Sequence, residues 1–227
     1  MPDVGRFFNI DPLAEKYTYN STYAFSENRV IDARELEGLE KVLFQNALKK
    51  DVSFNKAYNA QRQTSGGQKF SQTLKSQNRS NVLYVAFSNG IESGINQKIT
   101  NKKDFNNLAE TYGIAINNNG YDKASENGTK DVQVIGLGIH IDSEGKNVSN
   151  EQVFGVAATL NHEEVAHATN DLNKKEKTNA EEHKDFYGEK RESSPDATNV
   201  LTDKKYEGTE ARKNFTELKN TIDKHGK

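Results

Sequence analysis

The reading of the fold turns on "VQVIGLGIHIDSEGKNVSNEQVFGVAATLNHEEVAHATND", residues 132–171. At its start Val132, Val134, Gly136, Gly138 and His140 alternate with Gln133, Ile135, Leu137, Ile139 and Ile141. This period of two, with one strongly apolar face, predicts a core strand. Ser149 then stands where a helix N-cap belongs, and residues 149–170 read as a helix whose Phe154, Ala157, Ala158, Val165 and Ala168 recur at helical spacing. A core strand feeding a long helix predicts an α+β class: a small mixed sheet packed by helices.

Working outward, "LEKVLFQNALKKDVSFNKAYNAQRQ", residues 39–63, repeats Leu39, Val42, Leu43, Ala47 and Leu48 at helical intervals and predicts a first helix. "SGG" at 65–67 reads as its break, "FSQTLKSQ" at 70–77 as a short second helix, and the β-branched and aromatic "NVLYVAFS" at 81–88 as a strand. A helix over 102–112 and a short extended "GIAIN" at 113–117 follow. Residues 172–227 are dense in Asp, Glu, Lys and Arg and read as a charged helical tail with a break at Pro195. Residues 1–40 form an irregular, aromatic-rich N-terminal arm, which leaves 41–227 as the main domain.

The 227 residues suffice for one domain and a small appendage. With 33% hydrophobic and 28% charged residues, a modest core under polar loops is expected. The net charge of −2 provides no basic field, so no nucleic-acid partner is expected. No run approaches the ~20 apolar residues of a membrane span, and the start "MPDVGRFFNIDPLAEKY" lacks the order of a signal peptide, so an export signal would lie elsewhere. Without cysteine, any metal must be held by His, Asp or Glu.

That last restriction bears on "NHEEVAHATND", residues 161–171. In the helical pattern H-E-x-x-H, two histidines four apart share a zinc ion and the intervening Glu activates a water. Here His162 and His167 are five apart. At about 100° per residue they would point roughly 140° apart on a regular α-helix. A π-turn absorbs such an extra residue. With it, His162 and His167 are metal ligands and Glu163 is the general base, or Glu164 if the bulge falls differently. Without it, the segment is an ordinary amphipathic helix with His162 and Glu163 in solvent.

Two resemblances sharpen this reading. The spacing H-E-x-x-x-H is similar to that of zinc peptidases resembling dipeptidyl peptidase III, and "NAEEHKDFYG", 179–188, resembles the second helix of gluzincin peptidases such as thermolysin. That likeness implies Glu181 as the third zinc ligand and Asp185 as a carboxylate steadying a ligating histidine, with Glu182 and His183 as competing ligands. It also implies a sheet edge beside the motif helix that pairs with an extended substrate, and gives His140 a possible part in stabilising an oxyanion. Separately, "GRFFNIDPLAEKY", "YTYNSTYAFSENRVID" and the close "LEGLE", within residues 5–40, look like the end of the RHS repeat-associated core of bacterial polymorphic toxins. That family implies a β-rich shell around a toxin domain beginning near residue 41, delivery into a target cell, and a cognate immunity protein as partner.

The expectation from sequence is a zinc-dependent metallopeptidase at the tip of an RHS-type toxin, acting on protein or peptide substrates. The alternatives are a metal-dependent nuclease using His162, His167 and His183, and a non-enzymatic toxin that acts by binding.

Overall fold

The helix that carries the histidines is buried on two sides, against a mixed sheet and against a group of helices. The computed structural model describes residues 33–35, 41–76, 81–86, 95–112, 132–173 and 175–225. All three RHS-like blocks and the extended 113–117 lie outside the described residues.

In chain order the elements are β1 (Ala33–Glu35), β2 (Lys41–Phe44), α1 (Asn46–Lys50), α2 (Val52–Arg62), α3 (Ser65–Ser76), β3 (Asn81–Ala86), β4 (Ile95–Ile99), α4 (Lys102–Tyr112) and β5 (Val132–Leu137). Next come α5 (Asn150–Asn161), a π-helical segment (His162–Ala168), α6 (Thr169–Leu172), α7 (Asn179–Tyr187), α8 (Ala197–Thr202), a 3-10 turn (Lys204–Tyr206) and α9 (Glu210–His225). The strands are ordered β1-β2-β3-β5-β4. The β2, β3 and β5 strands run parallel, while β1 and β4 pair antiparallel at the two ends. The class is therefore α+β with a small mixed sheet, as the sequence indicates.

All six residues of β5 are buried. The alternation in the sequence understates this, because an interior strand of a sheet covered on both faces needs apolar residues on both. Ile135 and Leu137 share a cluster with Leu160, Ala168 and Leu172 of the motif helix and with Val42, Phe44, Phe54, Tyr58, Phe70 and Tyr84. The opposite side of that helix, Phe154, Ala157, Ala158 and Val165, enters a second cluster with Phe186, Tyr187, Phe215 and Leu218. The tail beyond 172 is thus part of the core on one face and charged only on the other.

The boundaries differ from the sequence expectation at several points: β1 lies within the arm read as irregular and pairs with β2, and Asp51 divides the expected first helix into α1 and α2. Val42 and Phe44 lie in β2, not in a helix, and the helical chain begins at Asn46. A three-residue apolar run, Val42–Phe44, satisfies either period, and parallel pairing with β3 decides in favour of the strand. The "SGG" break is the first turn of α3. Asp51 anchors the junction before it: buried at the N-cap of α2, it accepts from Phe54 N at 2.7 Å and from Ser143 Oγ at 2.7 Å, tying α2 to the loop that follows β5.

A Cβ on Gly67 would fall 1.9 Å from the carbonyl oxygen of Gln61, a backbone atom that cannot step aside. Gly67→Ala should therefore cost about 1–3 kcal/mol, read as a lowered urea midpoint at unchanged slope.

Candidate metal centre

The motif helix is started by a capping box. Ser149 Oγ accepts from Gln152 N at 3.2 Å, and the Gln152 side chain accepts from Ser149 N at 2.9 Å. From there the α-helix runs until His162, where the backbone switches to π geometry through Ala168. Bonding i to i+5 brings residues five apart onto one face, which is what the histidine spacing requires. The switch is closed by Thr169, whose N–H and Oγ1 both donate to the Glu164 carbonyl, the hydroxyl at 2.7 Å.

His162, His167 and His183 converge, each offering a ring nitrogen within 4.8 Å of the others. His167 Nε2 lies 3.1 Å from His162 Nε2 and 3.2 Å from His183 Nε2. The opposite nitrogen of each ring is engaged elsewhere. His167 Nδ1 meets Glu182 Oε2 at 2.6 Å, His183 Nδ1 meets the Arg191 carbonyl at 2.8 Å, and His162 Nδ1 meets the Tyr187 hydroxyl at 2.9 Å. A carboxylate and a carbonyl only accept, so the protons of His167 and His183 sit on Nδ1. In the neutral rings two Nε2 lone pairs then face one another at 3.2 Å, a contact that either a proton on one ring or a metal ion between them relieves. The same partners on the remote nitrogen orient metal-binding histidines in general. These three residues lie close enough to hold a metal ion.

Electrostatics favour ligand-ready rings at two positions. Burial, followed by the charges of His167 and His183, holds His162 well below the usual histidine range, and burial also lowers His183. At His167 burial works the same way, but the hydrogen bond to Glu182 and the charges of Glu163 and Glu182 outweigh it, and the net shift is upward. Burial, then the charge of Glu163, raises Tyr187, so its hydroxyl keeps its proton.

Glu163 is 2% exposed and directs Oε1 toward the cluster, 3.8 Å from His162 Nε2. Asn96 of β4 donates to its Oε2 and to its backbone carbonyl, both at 2.8 Å. A cavity of ≈ 290 Å³ opens beside His162 and Glu163, walled by Ala158 and Thr159 of α5 and by Ser194 and Pro195 of the loop after α7. Ser194 Oγ stands 3.2 Å from His162 Nε2. With His162 and Glu163 both buried, the picture of a solvated amphipathic helix does not hold.

Glu164 points the other way and is fully buried. It accepts from Tyr84 OH at 2.6 Å and Gln61 Nε2 at 2.9 Å, and forms an ion pair with Arg62. Burial works against the Arg62 charge, yet Glu164 beside it raises the guanidinium further above its ordinary range.

Of the residues singled out from sequence, His162, His167 and Glu163 are brought together, and the alternates His183 and Glu182 join them. Glu181 does not. It is the N3 residue of α7, spent on a capping box with Thr178, and its side chain is exposed. The spacing Thr178-x-x-Glu181 is itself a capping signature readable in the sequence. Asp185 is exposed and paired with Lys177. His140 is exposed and lies beyond β5, which ends at Leu137, so the oxyanion role has no support in its position. Asn96, Tyr187 and Ser194 carry no local sequence signal, since what makes them relevant is tertiary proximity.

Purified protein should bind one equivalent of metal, lost on His183→Ala and retained on Glu181→Ala and Asp185→Ala, as metal analysis after dialysis will read. Because protons compete for the same Nε2 lone pairs, affinity should fall as pH is lowered, with His167, shifted upward, taking up its proton before His162 and His183, both shifted downward. The chain matches no family model, no curated protein and no solved structure.

Proposed function

We propose that the protein is a zinc-dependent metallopeptidase, the delivered tip of an RHS-type toxin that acts on proteins or peptides of a competing cell. The observation that carries the reading is the convergence of three histidine Nε2 atoms, each ring held from behind, next to a buried glutamate that is not itself among them. Zinc–nitrogen distances of about 2.0–2.1 Å at tetrahedral angles give an N–N edge of about 3.3 Å, close to the 3.1 and 3.2 Å found. The donor set of three imidazoles suits zinc and leaves a fourth position for chemistry.

Zinc in such a site acidifies a bound water and polarises a carbonyl. The chain's own groups supply the remainder. Glu163 Oε1 is placed to take a proton and pass it to a leaving amine, while Asn96 fixes the other oxygen so that the carboxylate keeps its orientation. Tyr187, Glu182 and the Arg191 carbonyl keep the rings aligned. Among the described residues β4 is one of the two antiparallel edge strands of the sheet, and it touches the π-helical segment through Asn96. An extended peptide adding to that edge would run past Glu163. The RHS-like blocks of residues 5–40 support delivery as part of a larger protein, with an immunity protein as natural partner.

Glu163→Gln should keep its metal and lose activity by about 10²–10⁴-fold, measured by casein cleavage and by toxicity on expression in a sensitive cell. Full toxicity of that variant would remove Glu163 from the base role. Cleavage of plasmid DNA with casein untouched would turn the reading to a nuclease.

A further inference from the structure

We propose that Glu164, the second carboxylate of the motif, is a positioning residue: its buried contacts fix where the helix absorbs its extra residue and thereby which groups face the metal. The inference rests on the metal-site reading above and adds a requirement that the reading does not contain.

The helix is held at both ends by packing. Upstream, Phe154, Ala157, Ala158 and Leu160 are buried, and downstream Ala168 and Leu172 are buried against the sheet. Between these fixed points there is one residue more than the histidine spacing of a regular α-helix allows, and packing at the ends leaves open where it is accommodated. Moving that residue from one side of position 164 to the other turns its side chain by about 100°. In the observed register the Glu164 carboxylate meets a set of donors built for it on two other elements: Gln61 and Arg62 at the end of α2, and Tyr84 on β3.

Gln61 extends the grip. Its Oε1 accepts from Asn161 Nδ2 at 3.0 Å while its Nε2 donates to Glu164, so one side chain holds the residues on either side of His162 and Glu163. Thr169 closes the π-turn on the carbonyl of the same Glu164. A turn of Glu164 away from this pocket would leave the Arg62 guanidinium, its side chain 15% exposed, without its carboxylate, and an uncompensated buried charge is strongly destabilising. The register with Glu163 toward the histidines and Glu164 toward Arg62 is therefore selected against its neighbour.

The test compares the full chain with Glu164→Gln, each with and without Ala166. Removing Ala166 leaves the histidines four apart, so a regular α-helix aligns them and no bulge has to be placed. Zinc affinity is measured by competition with a chromophoric chelator and ligand geometry by the visible spectrum of the cobalt(II)-loaded protein, with far-UV circular dichroism as a check on folding. Glu164→Gln should weaken zinc about 10–100-fold and diminish the tetrahedral cobalt band, the range typical of losing a group that orients ligands. In the chain lacking Ala166 the same substitution should change affinity by less than about threefold. An equal loss in both backgrounds would mark Glu164 as a general stabiliser and overturn the proposal, as would wild-type affinity in Glu164→Gln. If Glu164→Gln does not fold, Tyr84→Phe, which removes one hydroxyl from the same carboxylate, replaces it with the same expected pattern. Failure of the unaltered chain to bind zinc would overturn the metal site itself, a result distinct from failure of the Glu164 comparison.

Discussion

A helix whose two histidines are five residues apart has a surplus that must be stored, and much of this structure is arranged around its storage. The π-helical segment from His162 to Ala168 takes it up. That geometry is rare and occurs mostly as single turns inserted in α-helices, and in this chain surrounding contacts hold it. Here they come from the α2 end, from β3, and from Thr169 on the helix itself. With the bulge in place, His162 and His167 meet, Glu163 turns toward them and Glu164 turns into the core.

The two adjacent glutamates show how position divides one chemistry into two tasks. Both are buried, but Glu163 has an amide on one oxygen and the histidine cluster near the other, whereas Glu164 is surrounded by a guanidinium, a phenol and an amide. The first keeps an oxygen near the histidine cluster. The second is neutralised and held in place. Exchanging their roles would require the helix to turn by one residue, which Arg62 opposes.

How far the molecule could be read from its sequence followed the range of the forces involved. The β5 strand, the Ser149 cap and the need for a bulge between His162 and His167 depend on neighbours within a few residues, and the pattern displays them. The start of the first helix is not legible locally, because Val42–Phe44 satisfy both periods and only pairing with β3 separates them. The E-x-x-x-D spacing makes Glu181 the visible candidate for a third ligand. The chain instead uses that residue to cap α7, which turns Glu182 and His183 inward. The Arg62, Gln61 and Tyr84 pocket joins residues 80 to 103 positions distant from Glu164, and no local pattern announces it.

The short stretch between the second and third histidines, sixteen positions from His167 to His183, has a meaning for folding. Bringing the ends of a small loop together costs little chain entropy, so the three imidazoles can assemble as a local event while the sheet, which joins distant strands, forms on its own schedule. Ion binding would then act as a clasp on the hairpin between the motif helix and α7. Its release would loosen that hairpin first and leave the strands and the buried Glu164 pocket as the part of the molecule that endures without it.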